Sequence, residues 1–266
     1  MPAAAGEGSD SAGGSGGAVE WSGHFKLQGL AASFPDDSIF RDLLGADAQD
    51  AILDLRLNFS ASAGGWDFAA DGQLIAILGD TLEAPLPFRD LALLTGASAL
   101  IGDDLRLFDL TSVHHDEGRS AFLTRLDRLS IGYTGKRGAV RFGRQAITWG
   151  NGFVFTPMDI FNPFDPTAVD KEYKTGDDML YGQLLTSRDD DLQGVVVFRR
   201  DAETGDVESE AGSAALKYHG VVGRGELDVM AARHFGDSLF GVGGNRSLGG
   251  TVWRGDAVVT ATDDST

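Results

Sequence analysis

Residues 51–60 read AILDLRLNFS, and this stretch shows the pattern that decides the fold. Apart from Ile52, apolar and polar residues alternate, so an extended chain places the two kinds on opposite faces. A helix with 3.6 residues per turn would scatter both sets around its circumference. The stretch therefore predicts a β-strand whose apolar face is formed by Ala51, Leu53, Leu55, Leu57 and Phe59.

The same period of two recurs along the chain and predicts about eleven strands. Their expected ranges are 23–31, 49–60, 65–79, 120–134, 138–147, 178–187, 191–200, 211–221, 225–235, 247–254 and 256–262. Short turns follow every second strand, near Ala63, at 134–137, 188–191 and 222–224, and near Gly255. Long loops follow the other strands, at 32–48, 80–119, 148–177, 201–210 and 236–246.

An all-β, up-and-down antiparallel sheet accounts for this alternation of short turns and long loops. Strands of roughly ten residues with one apolar face are typical of a transmembrane β-barrel of the bacterial outer membrane. A soluble β-sandwich or lipocalin-like barrel also has one apolar face, and periodicity alone does not separate the two classes. Long strands and aromatic residues near the strand ends, such as Trp66, Tyr133 and Trp253, favour the membrane barrel.

Composition narrows the functional class. The 266 residues carry a net charge of −18, which would repel a phosphate backbone and argues against nucleic-acid binding. Cysteine is absent, so thiolate metal sites and a cysteine nucleophile are excluded. No sequence motif supports catalysis or a cofactor, and the expectation is that the protein is not an enzyme. Adjacent His114 and His115 point apart on an extended chain, and we expect no metal site there.

The sequence predicts two regions. Residues 1–20 form a tail rich in Gly, Ser and Ala that we expect to be flexible, and residues 21–266 form the barrel domain with inserted loops 80–119 and 148–177. Single-chain bacterial barrels close with an even number of strands, so eleven strands predict an incomplete barrel, such as the N-terminal portion of a larger one. A miscounted strand is the alternative explanation.

A distinctive stretch runs from Leu126 to Tyr181. It contains Arg141-Phe142-Gly143-Arg144-Gln145, then Trp149-Gly150, Asn162-Pro163 and Gly176-Asp177-Asp178. In these motifs the chain resembles proteobacterial outer-membrane β-barrel proteins related to porins and alginate-export barrels. The resemblance implies an outer-membrane location and a transport role.

The hairpin over 120–147 can be given an expected register. A four-residue turn at 134–137 would pair Tyr133 with Gly138, Ile131 with Val140, and Leu129 with Phe142 on one apolar face. The same register leaves Asp127 opposite Arg144 on that face, where an arginine facing lipid near the midplane costs roughly 2–4 kcal/mol. A bulge that turns these residues inward, or a shorter apolar band, would resolve the conflict.

The opposite face of the hairpin predicts a polar lining. Arg128, Arg141 and Gln145 are expected to point into the lumen, where cationic side chains can attract anions. The alternative is that these arginines only form ion pairs with carboxylates inside the barrel.

Loop 148–177 is too apolar for a solvated loop, and we expect it to fold into the barrel mouth as a constriction or plug. The residues expected to pack it are Trp149, Phe153, Phe155, Phe161 and Phe164. Charged residues expected to line the narrow point are Lys171, Glu172, Asp177 and Asp178. A loop that caps the barrel without selecting a solute is the alternative.

Together these expectations describe a porin-like channel or exporter that passes a small polar or anionic solute. Its partners would be outer-membrane lipid and that solute. The alternative is a non-conducting barrel with a structural, adhesive or surface-sugar-binding role in the envelope.

Overall fold

A computed structural model describes residues 17–84, 102–152, 155–161, 174–186 and 190–262. Within them lie twelve strands: β1 (Ala18–Ser33), β2 (Asp47–Ala63), β3 (Trp66–Gly79), β4 (Thr111–Glu117), β5 (Ser120–Thr134), β6 (Gly138–Gln145), β7 (Asp177–Leu185), β8 (Asp191–Val197), β9 (Ser213–Val222), β10 (Gly225–His234), β11 (Asp237–Leu248) and β12 (Thr251–Ala261). Helix α1 (Ile39–Leu44) and a 3₁₀ turn (Asp80–Glu83) complete the elements. None of the described helices is long and apolar enough to cross a membrane.

All twelve strands belong to one antiparallel sheet with up-and-down order. The path runs β1-β2-β3-β5-β6-β7-β8-β9-β10-β11-β12, and β4 pairs with β5 beside this path. Across the described residues β1 and β12 are the two edges and do not pair with each other, so the sheet is not closed into a barrel. Because every neighbouring pair on this path of eleven strands is antiparallel, β1 and β12 run in the same direction.

The two faces of the sheet differ in polarity. On the apolar face, here called the outer face, Phe25 of β1 pairs with Leu55 of β2, and Leu27 pairs with Leu53. On the polar face, here called the inner face, His24 pairs with Arg56 and Lys26 with Asp54. The predicted period of two is therefore confirmed, with large apolar side chains on one side and polar ones on the other.

The last part of the chain was predicted wrongly. Residues 237–248 form strand β11 rather than a long loop, and the residues on both sides of Gly255 form a single strand, β12. The turn lies instead at Gly249 and Gly250, which both have positive φ. Glycine-rich sequence looks like a turn in isolation, but hydrogen bonds to β10 and β12 hold it extended. β4 was also missed within the predicted loop 80–119.

The register of the β5–β6 hairpin differs by two residues from the prediction. Tyr133 pairs with Val140 and Ile131 with Phe142, because the turn closes between Gly135 and Gly138. The Gly135 amide donates to the Gly138 carbonyl at 2.8 Å. A shift of two keeps every side chain on its predicted face.

A β-bulge removes Asp127 from the apolar face. Asp71 of β3 pairs with Arg128 and its neighbour Gly72 pairs with Leu126, so Asp127 has no partner position and turns inward. Arg144 is fully buried rather than exposed to lipid. The bulge therefore accounts for Asp127, whereas Arg144 is covered by residues 102–110.

The sheet is curved, with its inner face concave. Residues 146–152 and 155–161, here called the strap, leave the end of β6 and cross the inner face. Asn151 lies six residues after Gln145, a reach of at most about 22 Å, yet it contacts Asp256 of β12. Measured along the sheet, six strand spacings of about 4.8 Å separate β6 from β12, or about 29 Å. The strap therefore spans a chord shorter than the arc of the sheet.

β1 begins at Ala18, so the last three residues of the predicted tail, 18–20, belong to this strand. Residues 1–16 of that tail lie outside the described residues.

Candidate functional site

Apolar side chains of the strap fill the inner face of β7 to β12. Trp149, Met158 and Phe161 are buried. They pack in one cluster with residues of the inner face, namely Met179, Val195, Val197, Ala215 and Met230. The Trp149 and Phe161 rings meet edge to face at a centroid distance of 5.2 Å. This half of the inner face is consequently occupied by the chain itself.

Polar groups of the inner face also bind the strap. The Trp149 indole Nε1–H donates to Oε1 of Gln193 on β8 at 2.7 Å. The Lys217 ammonium of β9 lies 5.5 Å from the centroid of the Trp149 ring, in a cation–π arrangement. Asn151 donates from its backbone to Asp256 at 2.8 Å and from its side chain to Asp228 at 2.6 Å. The strap thus contacts β8, β9, β10 and β12.

The chain leading into β7 is fixed on the other side, at β5. Arg128 donates through Nη2 to the Lys174 carbonyl at 2.5 Å, and the Gly176 amide donates to Asp127 at 3.2 Å. Lys174 in turn forms an ion pair with Asp159 of the strap. Burial raises the pKa of the Asp159 carboxyl, although the Lys174 ammonium opposes the shift. Both ends of the connection between β6 and β7 are therefore tied to the sheet.

Arg144 forms a second buried centre at the end of β6 that lies away from the short turns. Its guanidinium donates to Asp178 of β7 at 2.9 Å and to Asp103 at 2.9 Å, with all three side chains fully buried. Asp103 belongs to residues 102–110, here called the rim segment. The Phe108 carbonyl accepts from Arg144 at 2.6 Å, and the Phe108 amide donates to Asp178 at 2.8 Å.

The carboxyl of Asp103 is strongly acidic in this setting. Burial alone would raise its pKa, but hydrogen bonds from Arg106, Arg144 and the Leu110 amide outweigh burial and lower it to about 2. Asp103 is therefore an anion at neutral pH and holds the rim segment to Arg144.

The predicted pore-lining residues take different positions. Arg128 forms an ion pair with Asp127 at 2.8 Å, and Arg141 pairs with Asp67 at 3.0 Å on the inner face near the short turns. Gln145 is buried and donates to the Met179 carbonyl at 3.2 Å. Asp177 pairs with Arg199, and Asp178 with Arg144. Lys171 and Glu172 lie outside the described residues. Arg128 and Arg141 are therefore both ion-paired.

The predicted packing residues of the loop also divide into groups. Trp149 and Phe161 are buried in the strap cluster, whereas Phe155 is exposed. Phe153 and Phe164 lie outside the described residues.

The described part of the chain contains no cluster of three or more His, Asp or Glu side chains that could hold a metal ion. His114 contacts Thr124 and His115 contacts Ser120, each at 2.8 Å.

Asn151, Asp228 and Asp256 were not among the predicted site residues. Alternation places both aspartates on the polar face of their strands, but it does not indicate which polar residue contacts the strap. Asn151 and Asp256 are 105 residues apart, so only the curvature of the sheet brings them together.

No family model, curated protein or solved structure matches this chain.

Proposed function

We propose that this protein is an outer-membrane β-barrel that passes or exports a small polar solute, with loop 148–177 as its constriction. The observation that carries the proposal is the inverted polarity of the sheet. Charged side chains such as Arg56, Asp127 and Lys217 are buried on the inner face. Large apolar side chains are exposed on the outer face, as in a barrel surrounded by lipid.

The outer face is too apolar for contact with water alone. Leu27 is 69 % exposed, Leu57 63 %, Leu216 59 % and Phe240 55 %, and they lie on four different strands. Soluble monomers rarely expose contiguous apolar surface larger than a few hundred Å². Lipid tails would cover this face without the free-energy cost that water imposes.

Aromatic residues on the outer face support a membrane boundary at the end of the sheet that carries the turns at 64–65, 135–137, 223–224 and 249–250, here called the short-turn end. The exposed tryptophans and tyrosines among the described residues are Trp21, Trp66, Tyr133, Tyr218 and Trp253. All five lie within a few residues of the short-turn end, and Trp66 and Tyr133 are in ring contact at 5.2 Å. Such rings are enriched where the polar headgroups of a bilayer begin.

The strap supports a role in selection, because it narrows the concave side of the sheet. Four arginines of the inner face, Arg56, Arg128, Arg141 and Arg199, are ion-paired. We therefore propose that aperture and polarity, rather than a surplus of positive charge, select the solute, anions included. The resemblance of Leu126–Tyr181 to porins and alginate-export barrels points to the same transport role.

Planar-bilayer recording on the purified protein tests the proposal. We expect unitary currents, and larger ones after residues 150–161 are replaced by a short Gly/Ser linker. Unheated and heated samples should migrate differently on a detergent gel. A protein that is stable and monodisperse without detergent would refute the membrane location.

One observation favours a second function. The strap cluster fills the inner face of β7 to β12, which is what a closed, non-conducting barrel with a structural or adhesive role would need. Absence of current from both the intact and the linker-replaced protein would favour this second function.

A further inference from the structure

The strap is fastened to β12 by one carboxylate. Asp256 accepts hydrogen bonds from the Asn151 amide at 2.8 and 3.0 Å and from the Gly152 amide at 3.0 Å. The Asn151 side chain lies at 3.4 Å from Asp256 and also donates to Asp228 of β10 at 2.6 Å. Among the described residues, the donors that reach Asp256 all belong to the strap.

Glycines of β11 make room for this contact. A Cβ atom on Gly243 would lie 2.2 Å from Oδ1 of Asp256 and 2.9 Å from Sδ of Met158. A Cβ atom on Gly241 would lie 3.2 Å from Cγ of Met158. Side chains at these two positions would displace either the carboxylate or the strap. The glycine-rich sequence of β11 is thus shaped to admit the strap.

Asp228 and Asp256 differ in their surroundings. Asp228 also contacts Lys217 at 3.5 Å and His219 at 3.0 Å, so its charge is balanced within the sheet. The shortest hydrogen bonds of Asp256, at 2.8 to 3.0 Å, come from two successive backbone amides, an arrangement that fixes the position of the chain. Hydrogen bonds to a carboxylate are stronger than those between neutral groups.

We propose that Asp256 is the positioning residue for the constriction, holding the strap against the inner face and thereby setting the aperture. The inference rests on the proposed transport function for its effect on aperture. Its structural part, the position of the strap, does not depend on transport. Backbone pairing of β12 with β11 does not use the Asp256 side chain, so replacing Asp256 loosens the strap while the sheet stays folded.

Thiol labelling tests the position of the strap. The chain has no cysteine, so Met158→Cys introduces a single thiol at a fully buried point of the strap. In the full chain reconstituted in lipid vesicles, we expect a maleimide to label this thiol at least tenfold faster when Asp256→Ala is added. Asp256→Asn keeps one acceptor and should give an intermediate rate, which also provides a measurement if the alanine variant does not fold.

Glu226→Gln is the matched control. Glu226 is an exposed inner-face carboxylate of β10 that bonds Asn245 and lies two positions from Asp228. It should leave the labelling rate unchanged. Equal rates with and without the substitutions at Asp256 would overturn the positioning role.

Conductance of the same variants without the cysteine tests the effect on aperture. We expect Asp256→Ala and Asp256→Asn to raise the unitary conductance, and Glu226→Gln to leave it unchanged. Faster labelling with unchanged conductance would overturn the link to aperture. A wild-type protein without any current would overturn the proposed function, while the labelling rates would still decide whether Asp256 holds the strap.

Discussion

Arg141 and Arg144 lie three residues apart on β6, and each forms an ion pair with aspartate. The Arg144 side chain is 0 % exposed, as are its partners Asp103 and Asp178, whereas the Arg141 side chain is 43 % exposed. Removing one partner of a buried pair leaves an uncompensated charge and typically costs about 3–5 kcal/mol. An exposed pair contributes about 0–1 kcal/mol.

We therefore expect Arg144→Gln to lower the free energy of unfolding by about 3–5 kcal/mol and Arg141→Gln by less than about 1 kcal/mol. Denaturant unfolding of the vesicle-reconstituted protein, followed by tryptophan fluorescence, measures both changes. Equal losses in the two variants would contradict the difference in burial.

The acidity of Asp103 predicts how stability depends on pH. Its folded pKa of about 2 lies below the model-peptide value of 3.8. The stabilisation is therefore complete above about pH 4 and is lost as pH falls through 2, with an amplitude of about 2 kcal/mol. Comparing wild type with Asp103→Asn in denaturant at pH 5, 3 and 2 measures this difference. The difference in unfolding free energy between the two proteins should narrow toward pH 2. A difference that stays constant would show that Asp103 does not titrate as described.

At the scale of single residues, the sequence predicts the face of the sheet on which a side chain lies better than it predicts the residues that the side chain contacts. Alternation along 51–60 places Arg56 inside and Leu57 outside, as observed. The partners of Arg144 and of Asn151 come from segments that local periodicity does not connect. Long-range ion pairs of this kind follow from the curvature of the sheet and from the path of the loops.

At the scale of the strand, Gly143 is required by the backbone of β6. Its φ is +119°, and a Cβ atom there would lie 2.2 Å from the Leu129 carbonyl oxygen. Gly182 on the neighbouring β7 has ordinary φ, and the nearest atom to its Cβ position is 4.0 Å away. A residue other than glycine at a position with such a positive φ typically carries about 1–3 kcal/mol of backbone strain.

We expect Gly143→Ala to destabilise the protein by at least about 2 kcal/mol and Gly182→Ala to change its stability by less than about 0.5 kcal/mol. Denaturant midpoints in the same vesicles give both values. If the two alanine variants unfold alike, the unusual backbone at Gly143 is not required by the fold.

Strands in which apolar and polar residues alternate were predictable from the sequence, whereas strands whose sequence is explained by neighbouring segments were not. β5 was predicted over 120–134 and is observed over the same residues. β11 was missed because its glycines carry no alternation, and the reason for them lies in the strap that packs against Gly241 and Gly243. The two-residue register error at β6 has a similar cause, because the turn ends at Gly138 through a bond that the residue types alone do not specify.

At the scale of the whole molecule, the polar face of the sheet is also its concave face. The strap and ion pairs such as Arg56–Asp127 and Arg141–Asp67 lie on the concave side, and exposed leucines such as Leu27 and Leu216 lie on the other. Leu57 and Ala63 share the outer face of β2, but only Leu57 lies several residues from the short turn and from the Trp66–Tyr133 pair. The depth of these two positions in a bilayer should therefore differ.

An arginine facing lipid costs about 2–4 kcal/mol at the bilayer midplane and about 0–1 kcal/mol near its surface. We expect Leu57→Arg to lower the unfolding free energy in vesicles by about 2–4 kcal/mol, and Ala63→Arg by less than about 1 kcal/mol. Reversible denaturant unfolding from lipid vesicles measures both. In water an arginine at the exposed Leu57 position would be tolerated as well as one at Ala63. Equal stability of the two variants would therefore mean that this face does not contact the lipid interior.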